Sequence, residues 1–139
     1  MKAVTLTILA VLGLIGTLAA QNRSAITINV PFNFESGEQL FPPGEYTVFT
    51  GAGPNHVVIR SADAKHTLMQ MSQPADKTLP VELGGLTFNK YADRYFLTHV
   101  WTGSSVGQAV QKSRAEREQV RERQIVKGAS PETVTILAR

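Results

Sequence analysis

The 139-residue chain contains no cysteine, and that one absence removes several kinds of protein together. Thiol nucleophiles, thiolate metal centres and disulfide cross-links are excluded. Whatever fold the chain adopts is held by packing and hydrogen bonds alone. Histidine is scarce, at three residues, so imidazole chemistry has few places to arise. The phosphate-cradling pattern G-x-x-x-x-G-K-[ST] is missing, and "GAGPN" (51–55) is too short and too close to proline to replace it. Long helical periodicity is also absent from the body of the chain, which argues against a parallel α/β architecture.

What is present begins with a leader. Lys2 precedes an apolar run from Ala3 to Leu18, followed by Ala19 and Ala20, the layout of a secretory signal peptide. A membrane anchor needs about 20 apolar residues, whereas this run is shorter and broken by Thr5, Thr7, Gly13, Gly16 and Thr17. Cleavage after Ala19 or Ala20 is expected, giving an exported product, periplasmic or extracellular, with no transmembrane segment. Residues 1–20 are therefore set apart from 21–111, a β domain, from 112–128, a charged helix, and from 129–139, a tail that forms an edge strand or stays loose.

The basic pI of about 9.5 belongs to the tail. Residues 21–111 carry six Lys or Arg and seven Asp or Glu, while residues 112–139 carry seven cations and four glutamates. A nucleic-acid binder would spread its positive charge over the body, so nucleic acid is not an expected partner.

The body reads as short strands. In "AITINV" Ile26, Ile28 and Val30 alternate with Thr27 and Asn29, and Pro31 ends the run. "LFPPGEYTVFT" places Pro42, Pro43 and Gly44 between a short strand and "EYTVFT"; fixed φ at proline and free φ at glycine predict a chain reversal there. "HVVIRS" and "HTLMQM" flank "ADAK", and "GGLTFNKY" and "RYFLTHVW" flank Ala92 and Asp93, so two hairpins follow. "SQPADKTLP" reads as a polar loop. Strands at this spacing predict an all-β fold, a small antiparallel sandwich or barrel of about seven to eight strands. Ser113 and Glu116 form a capping-box pattern ahead of good helix formers running to Lys127, with Gly128 as the stop. The apolar members of that helix scatter around it, so it is expected to bury little.

Two segments, "VPFNFESGEQLFPPGEYTV" and "LTFNKYADRYFLTHVW", followed by "KSRAEREQVRER", resemble a family of small signal-bearing acidobacterial secreted proteins. Its members read roughly I-P-F-x-F, L-P-A-G-x-Y-x-V, R-S-A-D-G-K, F-x-R-Y-G-D-x-Y-F-L and V-W before a Glu-Arg-rich helix. The resemblance implies an exported β-rich fold and assigns no activity. Here Pro43 stands for the family's alanine, while Ala64 and Ala92 stand for its glycines. Alanine at those two turns argues against an obligatory positive φ.

The candidate chemistry is thin. "GSSVG" (103–107) matches G-x-S-x-G with Ser105 in the nucleophile slot, yet no histidine follows it in the chain, as that hydrolase order requires. If residue i opposes residue 127 − i across "ADAK", His56 and His66 fall on opposite faces roughly 16 Å apart and cannot share a metal ion. His99 alternates with Leu97 and Trp101 and reads as a core or rim histidine. If residue i opposes 185 − i across Ala92 and Asp93, then Leu86, Phe88, Tyr95, Leu97, His99 and Trp101 share the core face. Tyr91, Arg94 and Phe96 fall on the other, as a possible exposed patch beside Arg114, Arg117 and Arg121 of the helix. These six residues are the candidate interaction surface, facing an envelope protein, a glycan or an anionic surface. No catalytic residue, metal site or cofactor is expected. The leading expectation is a noncatalytic exported binding module. A small-ligand carrier with a cavity inside a barrel, and a small hydrolase using Ser105 or a metal at His99, are the alternatives.

Overall fold

The computed structural model describes residues 24–50, 55–75, 84–103, 107–126 and 130–138. The elements among them are β1 (Ser24–Val30), β2 (Phe34–Ser36), β3 (Gln39–Phe41), β4 (Gly44–Thr50), β5 (His56–Ser61) and β6 (Thr67–Ala75). These are followed by β7 (Gly85–Tyr91), β8 (Arg94–Trp101), β9 (Gly107–Val110), α1 (Arg114–Val126) and β10 (Glu132–Leu137). The leader expected at 1–20 lies outside the described residues.

Antiparallel neighbours run β1-β4-β5-β6-β9-β8-β7-β10. The β2–β3 hairpin attaches beside β8, with β2 parallel to it through Glu35 and Phe96. The fold is all-β with one helix, as the strand spacing predicts. Of the sandwich and the barrel expected, the closed barrel does not form: the sheet is open, mixed and ten-stranded. β6 belongs to two halves, pairing β5 through Thr67–Met71 and β9 through Ser72–Ala75. Alternation does the rest: Ile28, Val30, Tyr46, Val48, Val57 and Ile59 from one half meet Leu86, Phe88, Leu97 and Val100 from the other in one buried core.

The hairpin of β2 and β3 fills the middle of that core. Phe34 and Phe41 lie opposite each other with rings stacked at 5.0 Å, and Phe34 meets Tyr46 and Phe88 edge-on at 5.1 and 5.3 Å. At the hairpin turn Gly37 has φ 59°, a conformation glycine holds without the strain a Cβ brings, and a Cβ there would stand 3.3 Å from Leu68 Cδ2, a tight contact. The Pro42–Gly44 segment is a corner instead of a hairpin: β3 pairs β2, β4 pairs β1, and the Tyr46 hydroxyl, donating to the Pro42 carbonyl, ties the corner down.

The β5–β6 register follows 127 − i throughout, from His56 opposite Met71 to Arg60 opposite Thr67. The β7–β8 register follows 185 − i only from Arg94 to Leu97. Phe88 faces Leu97 but Thr87 faces His99, so Thr98 is an extra residue in β8. That bulge moves Val100 into the core and puts His99 and Trp101 on the opposite face, correcting the expectation that they share the core face with Leu97. Two more boundaries differ. β6 runs through "SQPA", where it has a ladder on one side only and proline is tolerated. Gly107–Val110 adds a strand that the sequence signal is too short and too small-residued to reveal.

Both alanine turns hold positive φ, 59° at Ala64 and 56° at Ala92, contrary to the expectation from their replacing glycine. At the first turn Ala64 N–H donates to the Ser61 carbonyl at 2.9 Å, and Asp63 Oδ1 accepts from Ser61 Oγ at 2.6 Å and from Lys65 N at 3.0 Å. These bonds hold a conformation that a Cβ opposes. Ala64→Gly and Ala92→Gly are therefore each expected to raise stability by about 0.5–1 kcal/mol in urea unfolding. Phe34→Ala, which empties the centre of the aromatic cluster, is expected to lower it by about 3–5 kcal/mol in the same measurement.

Candidate interaction surface

Asn89 and Tyr91 on β7 stand opposite Phe96 and Arg94 on β8, which gathers the predicted Tyr91–Arg94–Phe96 group on one face. The face is not open. Tyr91 and Phe96 are each 1 % exposed, with rings edge-on at 5.7 Å, which corrects the expectation of an exposed aromatic patch. Helix α1 lies over them. Glu116 sends its carboxyl to Asn89 Nδ2 at 3.1 Å and the Tyr91 hydroxyl at 3.4 Å, and Arg123 stands 5.4 Å over the Tyr91 ring.

The helix docks through polar groups, and for that reason its scattered apolar residues gave no sign of docking. Glu116, Gln119, Val120 and Arg123 recur at the spacing of one helical face and are all at least partly covered, while Ile125 remains 82 % exposed. Half of the capping box forms: Glu116 N–H donates to Ser113 Oγ at 3.1 Å. The glutamate side chain turns to the sheet instead of back to Ser113. Glu38, from the β2–β3 hairpin, accepts from Arg114 N at 2.9 Å, placing a carboxylate at the positive helix end.

Arg94 is engaged as well. Its guanidinium makes a two-pronged contact with Glu35, Nε to Oε1 and Nη2 to Oε2 both at 2.9 Å, and lies 5.0 Å over the Phe96 ring. Of the six predicted surface residues, Arg114, Arg117 and Arg121 keep exposed side chains, on the outer side of α1.

At the other end of the same sheet face, Trp101 donates from Nε1 to Thr87 Oγ1 at 3.1 Å and stacks on His99 at 5.7 Å. Gly107 of β9 packs against the indole so closely that a Cβ there would overlap it. Burial pushes the His99 pKa below its usual value, which favours the neutral ring, and Nδ1 stands against Thr98 Oγ1 at 3.0 Å. His56 stands opposite Met71, and His66 packs near the Phe41 ring. Among the described residues no three His, Asp or Glu side chains are placed to hold a metal ion. Ser105 lies outside the described residues.

Two open features carry no sequence signal. The outer face of the first half bears a row in register, Ala25, Phe49, Val58 and Met69, with Met69 and Met71 each more than 60 % exposed. At the seam where β1 and β10 end the sheet lies a cleft of about 610 Å³ bordered by Thr27, Ile28, Asn29, Pro31, Glu45, Ile136 and Leu137. Among the described residues no helix is long and apolar enough to cross a membrane. No family profile matches the chain, and neither a curated protein nor a solved structure is significantly similar to it.

Burial raises the Glu116 pKa above the ordinary glutamate range, more than the Asn89 bond and the Lys112 charge lower it. A carboxyl raised in the folded state adds stability that is complete below the ordinary glutamate pKa and is lost as pH rises through the raised value. Stability is therefore expected to fall as pH climbs from acid through that window, with amide hydrogen exchange in α1 reporting loosening of the helix. Glu116→Gln keeps an acceptor for Asn89 and is expected to flatten the dependence.

Proposed function

We propose that the protein is a noncatalytic exported β domain that serves as a binding or interaction module in the envelope or outside the cell. The observation that carries this reading is the open cleft between β1 and β10, a recess walled by two sheet edges. The ionisable side chains most suited to chemistry are engaged in structure: Arg94 holds Glu35, Glu116 holds the helix to Asn89, and His99 stacks on Trp101. The leader pattern at residues 1–20 and the resemblance to signal-bearing acidobacterial proteins support export. Arg114, Arg117 and Arg121 give the outer side of the helix a basic character that suits an acidic envelope protein, a glycan or an anionic surface as a secondary contact.

A small-ligand carrier has less support, because Phe34, Phe41, Tyr46 and Phe88 fill the middle of the core and the cleft lies at the seam. Native mass spectrometry of protein purified from its own envelope separates the readings. A bound polypeptide is the expected result, and a bound small apolar molecule would favour the carrier. Turnover by the purified protein that disappears with His99→Ala or Ser105→Ala would overturn both in favour of an enzyme.

A further inference from the structure

Methionine is ordinarily among the residues most often buried, and in this fold it is displayed. The sequence holds three. Met1 opens the leader pattern, while Met69 and Met71 stand two residues apart on β6 at 62 % and 61 % exposure. That spacing on a strand means one face, with Cα atoms about 7 Å apart. Thr67, the next residue on the same side, is exposed as well, so this side of β6 meets solvent and not the core.

His56 completes a group of three. In the β5–β6 ladder it lies directly opposite Met71, and Val58 lies opposite Met69. Facing residues of an antiparallel pair project to the same side, with Cβ atoms about 4.5–5.5 Å apart and diagonal neighbours about 7–8 Å apart. Burial alternates along β5: Val57, Ile59 and Ser61 are buried, while His56 and Val58 are half-buried on the outer side. Two thioether sulfurs and one imidazole therefore share a small outward patch. Methionine turns about three side-chain bonds, so both sulfurs can swing toward the ring. An imidazole has two nitrogens, and a partner on one leaves the other to ligate.

The surroundings select among ions. Across the sheet the patch continues in register into Val58, Phe49 and Ala25, none of which has a side-chain oxygen. Glu45 is the one carboxylate in β1, β4, β5 and β6, and it lies four residues from Phe49 along β4, about 13 Å. Cations that need oxygen ligands, such as Mg²⁺ and Ca²⁺, find no set of them on these strands. Thioether sulfur is a soft ligand that favours Cu(I). An apolar surround adds to that preference, because it penalises the doubly charged Cu(II) more than the monovalent ion.

We propose that Met69, Met71 and His56 form a surface site for a soft monovalent metal ion, Cu(I), held by two thioether sulfurs and one imidazole nitrogen. The lack of cysteine does not bear on it, because methionine supplies the sulfur, and the separation of His56 from His66 does not either, because one histidine is enough. A search among His, Asp and Glu alone passes over such a site. It lies on β5 and β6, whereas the cleft borders β1 and β10, so it goes beyond the interaction-module reading and stands or falls independently of it.

The test titrates the exported protein with Cu(I), without oxygen and with excess reductant, in competition with a chromogenic Cu(I) chelator. One equivalent is expected to bind with Kd below about 1 μM. Met69→Leu and Met71→Leu conserve apolar volume and remove only the sulfur; His56→Gln removes the imidazole. Each should weaken binding at least about tenfold, since even partners outside a ligand set are worth about 10–100-fold. His66→Gln should leave it unchanged. X-ray absorption of the copper-loaded protein should show sulfur and nitrogen neighbours together. With Ag(I) as a substitute that does not change oxidation state, the Met69 and Met71 methyl signals and the His56 ring signals should shift in NMR spectra, and those of His66 and His99 should stay in place. No saturable binding in that range, unchanged affinity in any one of the three ligand variants, or silver shifts centred on His66 or His99 would overturn the proposal.

Discussion

The two halves of the open sheet are joined at their centre by four rings, Phe34, Phe41, Tyr46 and Phe88, all buried to within 1 %. With no disulfide to link the halves, burial of these rings is the main restraint on their separation. The cluster also explains the placement of the β2–β3 hairpin. Phe34 and Phe41 face inward from opposite strands, so the hairpin enters the core as a two-ring wedge. Glu35, one residue along, faces outward to the Arg94 guanidinium. The alternation of a single three-residue strand thus fixes one side of the core and one ion pair.

Much of this was legible from period-two alternation. Strands β1, β4, β5, β7 and β8 and the β5–β6 register follow from it directly. What it could not reveal was any feature that leaves alternation intact locally while changing it globally. Thr98 is such a feature: "LTHVW" alternates as well with an extra residue as without one, and only the neighbouring strand shows that Val100, not His99, faces the core. Likewise Ala64 and Ala92 occupy conformations that favour glycine because the surrounding hairpins determine the turn geometry. Hairpin closure outweighs the local preference of one residue.

The candidate surface was legible in its grouping and not in its exposure. Strand parity correctly assembled Tyr91, Arg94 and Phe96. They are covered by α1, whose contacts to Asn89 and Tyr91 come from Glu116 and Arg123 and are therefore invisible to a reading based on apolar stripes. A carboxyl with two hydrogen-bond donors and a guanidinium over a ring replace the usual leucines. Such polar docking is weaker per unit area than apolar packing, because each group gives up water to make its contact.

The openness of the sheet follows from the same arrangement. The run of antiparallel neighbours from β1 to β10 is eight strands long, a number that can close into a barrel. Closure would require β1 and β10 to approach to ladder distance. The β2–β3 wedge opposes this by occupying the interior with two phenylalanine rings, which sets a width for the core that the strands must span. The seam lies on the side where Ile28 and Ile136 rim the core. A fold that fills its middle with an inserted hairpin leaves its recess at the edge, where the groups on offer are backbone amides and carbonyls.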